Sequence, residues 1–175
     1  MIYIPGEDSY LLESQVRKYA RKKKVLDLGT GSGILALTAI KFKALSVLAS
    51  DINEESINYA KSLGIEAIKS NLFLHIKSKF DLIIFNPPYL PQDEREDKES
   101  QQVTTGGKKG DEIILKFLKQ ARNHLNPKGI ILLLVSSLTP MKRINNILEK
   151  QKLKSKIIAE KKLFMESLYV LEIKE

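Results

Sequence analysis

At 175 residues the chain has room for one domain around a single core. Apolar residues make up 43% and charged residues 29%, ordinary globular values that exclude wholesale disorder, a collagen-like repeat and a coiled coil. The formal charge of +8 is almost entirely lysine excess, because Arg17, Arg21, Arg95, Arg122 and Arg143 are the only arginines. Such a surface suits RNA, a ribosomal neighbourhood or an acidic protein partner, and suits simple solubility equally well. It lacks the interleaved aromatics of a single-strand-binding platform.

No apolar run approaches the roughly 20 residues that cross a bilayer, the longest being 129–135. The first residues run at once into Pro5, Gly6, Glu7 and Asp8, without the basic and apolar regions of a signal peptide, so a cytoplasmic protein with no membrane association is expected. Cysteine is absent, which excludes disulfides and thiol nucleophiles. With His75 and His124 as the only histidines, no metal site is expected.

Residues 1–23 predict an N-terminal helix or lid, with Tyr10, Leu11, Leu12, Val16 and Tyr19 on or near one face. From Val25 to Val135 short β-type runs alternate with helical patterns, the signature of stacked βα units on a parallel sheet. Strands are predicted at Lys24–Leu28, Ser46–Ser50, Ile65–Ile68 and Phe80–Phe85. Helices fall at Ser32–Phe42 and at Glu54–Ser62, the second with Asn53 as N-cap and two glutamates in its first turn. Prolines 87 and 88 end the fourth strand, since neither donates a ladder hydrogen bond. The charged stretch 92–110 has almost nothing to bury and predicts a mobile loop beside the site. Beyond it come an amphipathic helix over Asp111–His124, a turn at Asn126–Gly129 and a buried strand at Ile130–Val135. A helix after Pro140 and strands near Lys156–Ala159 and Leu168–Ile173 complete one domain.

Asp27-Leu-Gly-Thr-Gly-Ser-Gly33 joins the first strand to a helix. Its Gly29, Gly31 and Gly33 let the backbone turn tightly and approach a ligand. A dinucleotide fingerprint needs G-x-G-x-x-G, to place pyrophosphate on the helix N-terminus. Here the pattern is G-x-G-x-G, and an acid precedes it. That suits a ligand without phosphates whose ammonium meets Asp27; a plain structural turn is the alternative. Asp51, at the tip of the second strand, is placed for two ribose hydroxyls. A nucleoside with an amino-acid tail fits both acids.

Asn86-Pro-Pro-Tyr89 is the most specific feature. Consecutive prolines hold the backbone extended and remove its N–H donors, so nearby carbonyls can face a ligand. The Asn86 side-chain oxygen and the Pro87 carbonyl then offer two acceptors to a planar –NH2 group, with Tyr89 as a stacking face. Either a carboxamide or the exocyclic amine of a nucleobase matches. Holding both hydrogens favours tetrahedral nitrogen and aims its lone pair at an electrophilic methyl group. The bland reading is a rigid strand-ending turn.

With these motifs the chain resembles the class I S-adenosylmethionine-dependent methyltransferases. Glu7–Leu12, Phe80–Pro91, Gly106–Gly110 and Leu125–Gly129 together resemble the HemK-type protein-glutamine methyltransferases, in the short archaeal and eukaryotic branch that lacks an N-terminal helical domain. The resemblance implies an α/β, Rossmann-like fold: a seven-stranded, mostly parallel sheet with helices on both faces and an antiparallel C-terminal strand. It implies one S-adenosylmethionine-dependent domain over 1–175, methylating the glutamine of the Gly-Gly-Gln loop in a class I translation release factor. A small zinc-binding activator subunit, pairing with the sheet edge near the third strand, is implied as well. By position, Ser9, Asp27, Gly29, Gly31, Gly33, Asp51, Asn71, Leu72 and Asn86 fall in the cofactor site. Asn71 stands where the family has Asp beside adenine, and its amide oxygen can accept from the adenine amine without charge. Asn86, Pro87 and Tyr89 fall in the methyl-acceptor site.

Two other functions remain open on sequence. An N6-adenine methyltransferase uses the same acceptor corner, although no segment is left for a base-recognition domain. A non-catalytic RNA-binding or scaffold subunit would keep the fold without the reaction. His75, in a polar connection, and His124, at a helix end near terminal carbonyls, carry no expected catalytic role.

Overall fold

The computed structural model describes residues 2–89 and 105–175. Residues 92–104 of the expected loop, and Leu90 and Pro91 of the fourth-strand motif, lie outside them. In chain order the elements are α1 (Glu7–Tyr19), β1 (Lys24–Leu28), α2 (Ile34–Lys41), β2 (Ser46–Asp51), α3 (Glu54–Ser62), β3 (Ala67–Lys69) and β4 (Phe80–Phe85). Then follow α4 (Glu112–Ala121), a 3-10 turn (Arg122–His124), β5 (Leu125–Ser136), α5 (Met141–Lys150), β6 (Lys154–Lys162) and β7 (Ser167–Lys174).

The strands form one seven-stranded sheet in the order β3-β2-β1-β4-β5-β7-β6. Every pairing from β3 through β5 is parallel, and β7 runs antiparallel to both β5 and β6. Side-chain alternation along the strands divides the core between the two sheet faces. Leu26, Leu28, Ile83, Phe85, Ile131 and Leu133 pack with Phe117 and Leu118 of α4 and Ile144 and Leu148 of α5. Val25, Leu82, Ile84, Leu132 and Leu134 pack with Leu12 and Val16 of α1, Leu35 and Ala36 of α2 and Ile57 of α3. No helix among the described residues is long and apolar enough to cross a membrane.

Local chemistry starts and stops these elements. Asn53 caps α3, its side chain accepting from the Glu55 N–H at 2.8 Å. The Asp81 carboxylate accepts from the Lys24 N–H and from the Asn126 side chain, both at 2.8 Å, and so pins the starts of β1, β4 and β5 together. Those bonds hold the Asp81 carboxyl below its ordinary pKa.

Three expectations change in detail. The third strand begins at Ala67 rather than Ile65, because Gly64 takes φ 77° and the Ile65 N–H donates to the Ala60 carbonyl, closing α3. The turn at Asn126–Gly129 becomes an irregularity inside a longer β5: Leu125 already pairs with Phe80, and regular pairing resumes at Ile130 opposite Leu82. Tyr10 lies on the outer side of α1, since the buried stripe runs through Ser9, Leu12 and Val16 at helical spacing.

Strand order reverses between β2 and β4 on either side of β1, and ligands in open α/β sheets bind beyond the carboxyl ends of the strands at such a point. α1 reaches it from outside the sheet, anchored by the fully buried Leu12 and Val16. Leu12→Ala should therefore cost about 2–5 kcal/mol, measured as a lowered urea midpoint with unchanged slope.

Candidate active site

β1 and β4 lie side by side with Leu28 opposite Phe85, so the glycine turn and Asn86 leave the sheet together. Gly29, Gly31 and Gly33 all have positive φ, at 69°, 51° and 77°, as the acid-then-glycine pattern predicts for a tight turn. A Cβ on Gly29 would meet the Phe85 ring at 3.4 Å, and one on Gly33 would come within 3.1 Å of Ile65 Cδ1. The positive φ values thus require glycine at the turn, and at Gly33 the close approach of Ile65 adds a smaller steric reason.

Asp27 is fully buried at the end of β1. Its Oδ2 accepts from Thr30 Oγ1 at 2.7 Å and from the Ala36 N–H at 3.1 Å. Its Oδ1 is buried without a partner among the described residues. Burial pushes the Asp27 pKa up to about 6, opposed by those two hydrogen bonds and reinforced by the charge of Asp51. Asp51 is tied to the turn directly: Oδ2 accepts from the Gly31 N–H and Oδ1 from the Asn53 N–H, each at 2.9 Å. A carboxylate offers about four lone-pair sites, so Asp51 keeps capacity for further donors.

Asn86 follows β4 directly and is half-buried. Its Nδ2 donates to Asp8 Oδ2 at 3.0 Å and lies 3.5 Å from Ser9 Oγ. Its Oδ1 is buried and accepts nothing from the described residues. Pro87 is buried and Tyr89 half-buried, packed against the core on both sides of the sheet. Burial raises the Tyr89 phenol pKa, and the charges of Asp8 and Glu166 raise it further. Gly106 passes close beneath, since a Cβ there would lie 2.7 Å from the Pro88 carbonyl oxygen.

Ser9 is buried in the first turn of α1 and joins the Asn86 cluster. Asp8 and Tyr3 belong to the same cluster and were not among the expected site residues. Asp8 is 5% exposed, and Tyr3 donates its hydroxyl to Asp8 Oδ2 at 2.8 Å. Burial, followed by the bond to Asp8, raises the Tyr3 pKa. An acid in a helical first turn reads as a dipole partner, which conceals its contact with Asn86. The available signal was its adjacency to Ser9.

Asn71 and Leu72 sit just past β3. Asn71 is exposed and makes no side-chain hydrogen bond to another described residue, while Leu72 is half-buried against the core and takes φ 49°. The structure therefore gathers Ser9, Asp27, Gly29, Gly31, Asp51, Asn86, Pro87 and Tyr89 at one end of the sheet, with Asn71 and Leu72 at its β3 margin. The histidines lie apart from it. His124 Nδ1 is 3.2 Å from the Ser78 carbonyl, and its ring stacks on Phe73 at 4.3 Å, so its partner is not the end of its own helix. His75 Nδ1 is 3.2 Å from the Lys69 carbonyl.

Comparison with known proteins agrees with this geometry. A chain of Methanocaldococcus jannaschii, named as a protein N5-glutamine methyltransferase, is 35% identical over 97% of this chain and 90% of its own length. The release factor glutamine methyltransferase of Borreliella burgdorferi is 38% identical over 63% of this chain, which spans 44% of that longer protein. Among solved structures, the E. cuniculi Mtq2–Trm112 complex, described as responsible for methylation of the termination factor eRF1, superposes with a TM-score of 0.82 at 27% identity. That match covers 99% of this chain and 98% of the other. Residues 7–165 match the methyltransferase small domain family, and the chain belongs to it, as a class I methyltransferase of the HemK type.

Proposed function

We propose that the chain is a protein-glutamine N5-methyltransferase that moves a methyl group from S-adenosylmethionine to the glutamine amide in the Gly-Gly-Gln loop of a class I translation release factor. The observation that carries this reading is Asn86 Oδ1, a buried acceptor without a partner among the described residues, held at the end of β4 beside the glycine turn. Leaving such an oxygen unpaired costs roughly 1–3 kcal/mol, and an amide –NH2 removes that cost. The relatives named as glutamine methyltransferases point to the same acceptor rather than to adenine.

The residues present fit the cofactor. Asp27 Oδ1 is likewise buried and unpaired among the described residues, and it suits an ammonium donor. Asp51 has lone pairs for ribose hydroxyls, and the glycine turn admits a ligand against its backbone. Ser9, Gly29, Gly31, Gly33, Asn71, Leu72 and Asn86 complete that set. When bound, S-adenosylmethionine supplies a methyl group on positively charged sulfur, an electrophile. Asn86 Oδ1 and the Pro87 carbonyl hold the two amide hydrogens, draw the nitrogen away from planarity and aim its lone pair. Tyr89 packs against the acceptor's flat face. A nitrogen that has gained a methyl is strongly acidic and gives its surplus proton to solvent, so no side-chain base is required.

Mtq2 is in complex with Trm112, and we accordingly propose a small activator subunit for this chain, expected from the family resemblance to bind zinc. β3 is one of the two edge strands, opposite β6, and only Ala67–Lys69 long, which leaves an edge of backbone donors and acceptors for an added strand. Ile52 and Leu74, just past β2 and β3, are exposed apolar side chains available to such a partner.

Mass spectrometry of the host's release factor, after incubation with the activator-bound enzyme and S-adenosylmethionine, should find one added methyl on the Gly-Gly-Gln glutamine. Adenine-containing DNA and RNA run alongside should stay unmodified. Methylation of nucleic acid with none on the release factor would overturn the assignment. Asn86→Ala should lower turnover at least about 10²-fold, with a much smaller loss of S-adenosylhomocysteine affinity by calorimetry. Asp27 sets a pH dependence with a defined sign. An ammonium pairs with its ionised form, so affinity for S-adenosylhomocysteine should fall as pH drops below about 6 and level off above it. In Asp27→Asn that slope should flatten.

A further inference from the structure

We propose that Asp8 is a positioning residue for methyl transfer: its carboxylate dictates which way round the Asn86 amide sits, so that Oδ1 and not Nδ2 faces the acceptor nitrogen. The inference rests on the function proposed above.

A carboxamide has two orientations of nearly equal shape, and only one puts an acceptor into the site. In the other, Nδ2 would point its hydrogens at the hydrogens of the incoming –NH2. Something beside Asn86 must therefore distinguish oxygen from nitrogen. Ser9 cannot, because its hydroxyl both donates and accepts. An ionised carboxylate only accepts, so Asp8 Oδ2, 3.0 Å from Asn86 Nδ2, admits the donor end alone. A flipped amide would set two oxygens against each other in a buried space, where that repulsion is strongly felt.

Asp8 is itself held in place. Oδ2 also accepts from the Tyr3 hydroxyl at 2.8 Å. Oδ1 accepts from the Ser9 N–H at 2.6 Å and lies 3.3 Å from Ser9 Oγ. With these partners and 5% exposure the carboxylate has no freedom to rotate away. α1 thus contributes an orienting group from outside the sheet, while β4 contributes the group that is oriented. The negative charge beside Nδ2 also polarises the amide toward Oδ1, which strengthens that acceptor as positive charge develops on the substrate nitrogen.

The test compares Asp8→Ala, Asp8→Asn and Tyr3→Phe with the wild type, all as activator complexes, on the full-length release factor. Asp8→Ala should lower kcat about 30-fold or more, with KM for the release factor and calorimetric affinity for S-adenosylhomocysteine within about threefold. Asp8→Asn keeps the shape but, like Ser9, can both donate and accept, so it should show most of the same loss of kcat, the Asn86 amide being free to present either end. Tyr3→Phe should cost only a few-fold in kcat, about 1 kcal/mol for one hydrogen bond. The side-chain amide NMR pair identified by its disappearance in Asn86→Ala should exchange slowly in the wild type and fast in Asp8→Ala. A kcat in Asp8→Ala within about threefold of wild type, a loss confined to cofactor affinity, or a wild-type kcat in Asp8→Asn would each overturn the proposal. Should Asp8→Ala fail to fold, Asp8→Asn and Tyr3→Phe decide it: a wild-type exchange rate and kcat in both would overturn it. An inactive wild type would count against the proposed function, whereas the exchange measurement still judges the orientation by itself.

Discussion

The parallel pairing of β1 with β4 is the constraint on which the site depends. Those strands are neighbours in space although two helices and two strands separate them in sequence, and Leu28 opposite Phe85 brings their ends level. One strand releases a turn of glycines; the other releases an asparagine followed by prolines. If either strand slipped by one residue, side chains would exchange sheet faces and the buried rows on both sides would be lost. The hydrophobic alternation that divides the core is therefore also what sets the separation of the two ends. Asp81 reinforces the register from the far end, where it ties the starts of β1, β4 and β5 together.

Within that frame the site is assembled from backbone more than from side chains. Gly29 lies against the Phe85 ring, and its φ of 69° is what demands glycine at that point of the turn. Asp51 accepts from the Gly31 N–H, which ties the end of β2 to the turn after β1. Gly106, beneath the Pro88 carbonyl, lets the chain entering α4 pass close to the acceptor corner. Each contact joins segments distant in sequence, so small displacements in one are felt by the others.

Much of this was legible beforehand because it is local. The bounds of β1 and β4, the Asn53 cap, and the glycine and proline corners are written in short spans whose chemistry permits few alternatives. What escaped depended on distant partners. Asp8 looks like a helix-dipole acid until Asn86, from the other side of the domain, arrives against it. Ile65 looks like a strand residue because it is apolar, yet Gly64 beside it enters the left-handed region and gives the Ile65 N–H to the end of α3. His124 sits at a helix end, where imidazole often meets terminal carbonyls, but the Phe73 ring and the Ser78 carbonyl occupy its two sides. In each case the residue type was informative and the partner was not.

The electrostatics of the site run against those of the molecule. A chain of formal charge +8 places Asp8, Asp27 and Asp51 around one turn and one corner, and two of the three are buried. Burial raises the cost of every unpaired negative charge, visible in the upward shift at Asp27, to which Asp51 contributes. A dinucleotide site does the reverse, using a helix N-terminus to attract phosphate. Here α2 begins at Ile34, capped by Gly33, with Asp27 and Asp51 nearby, and a phosphate would meet carboxylates at short range. The acids thus make the turn less hospitable to phosphate and lend it a negative potential that would favour a cationic group. They do so in a low-dielectric setting where the lysines on the surface are screened by solvent and cannot cancel them.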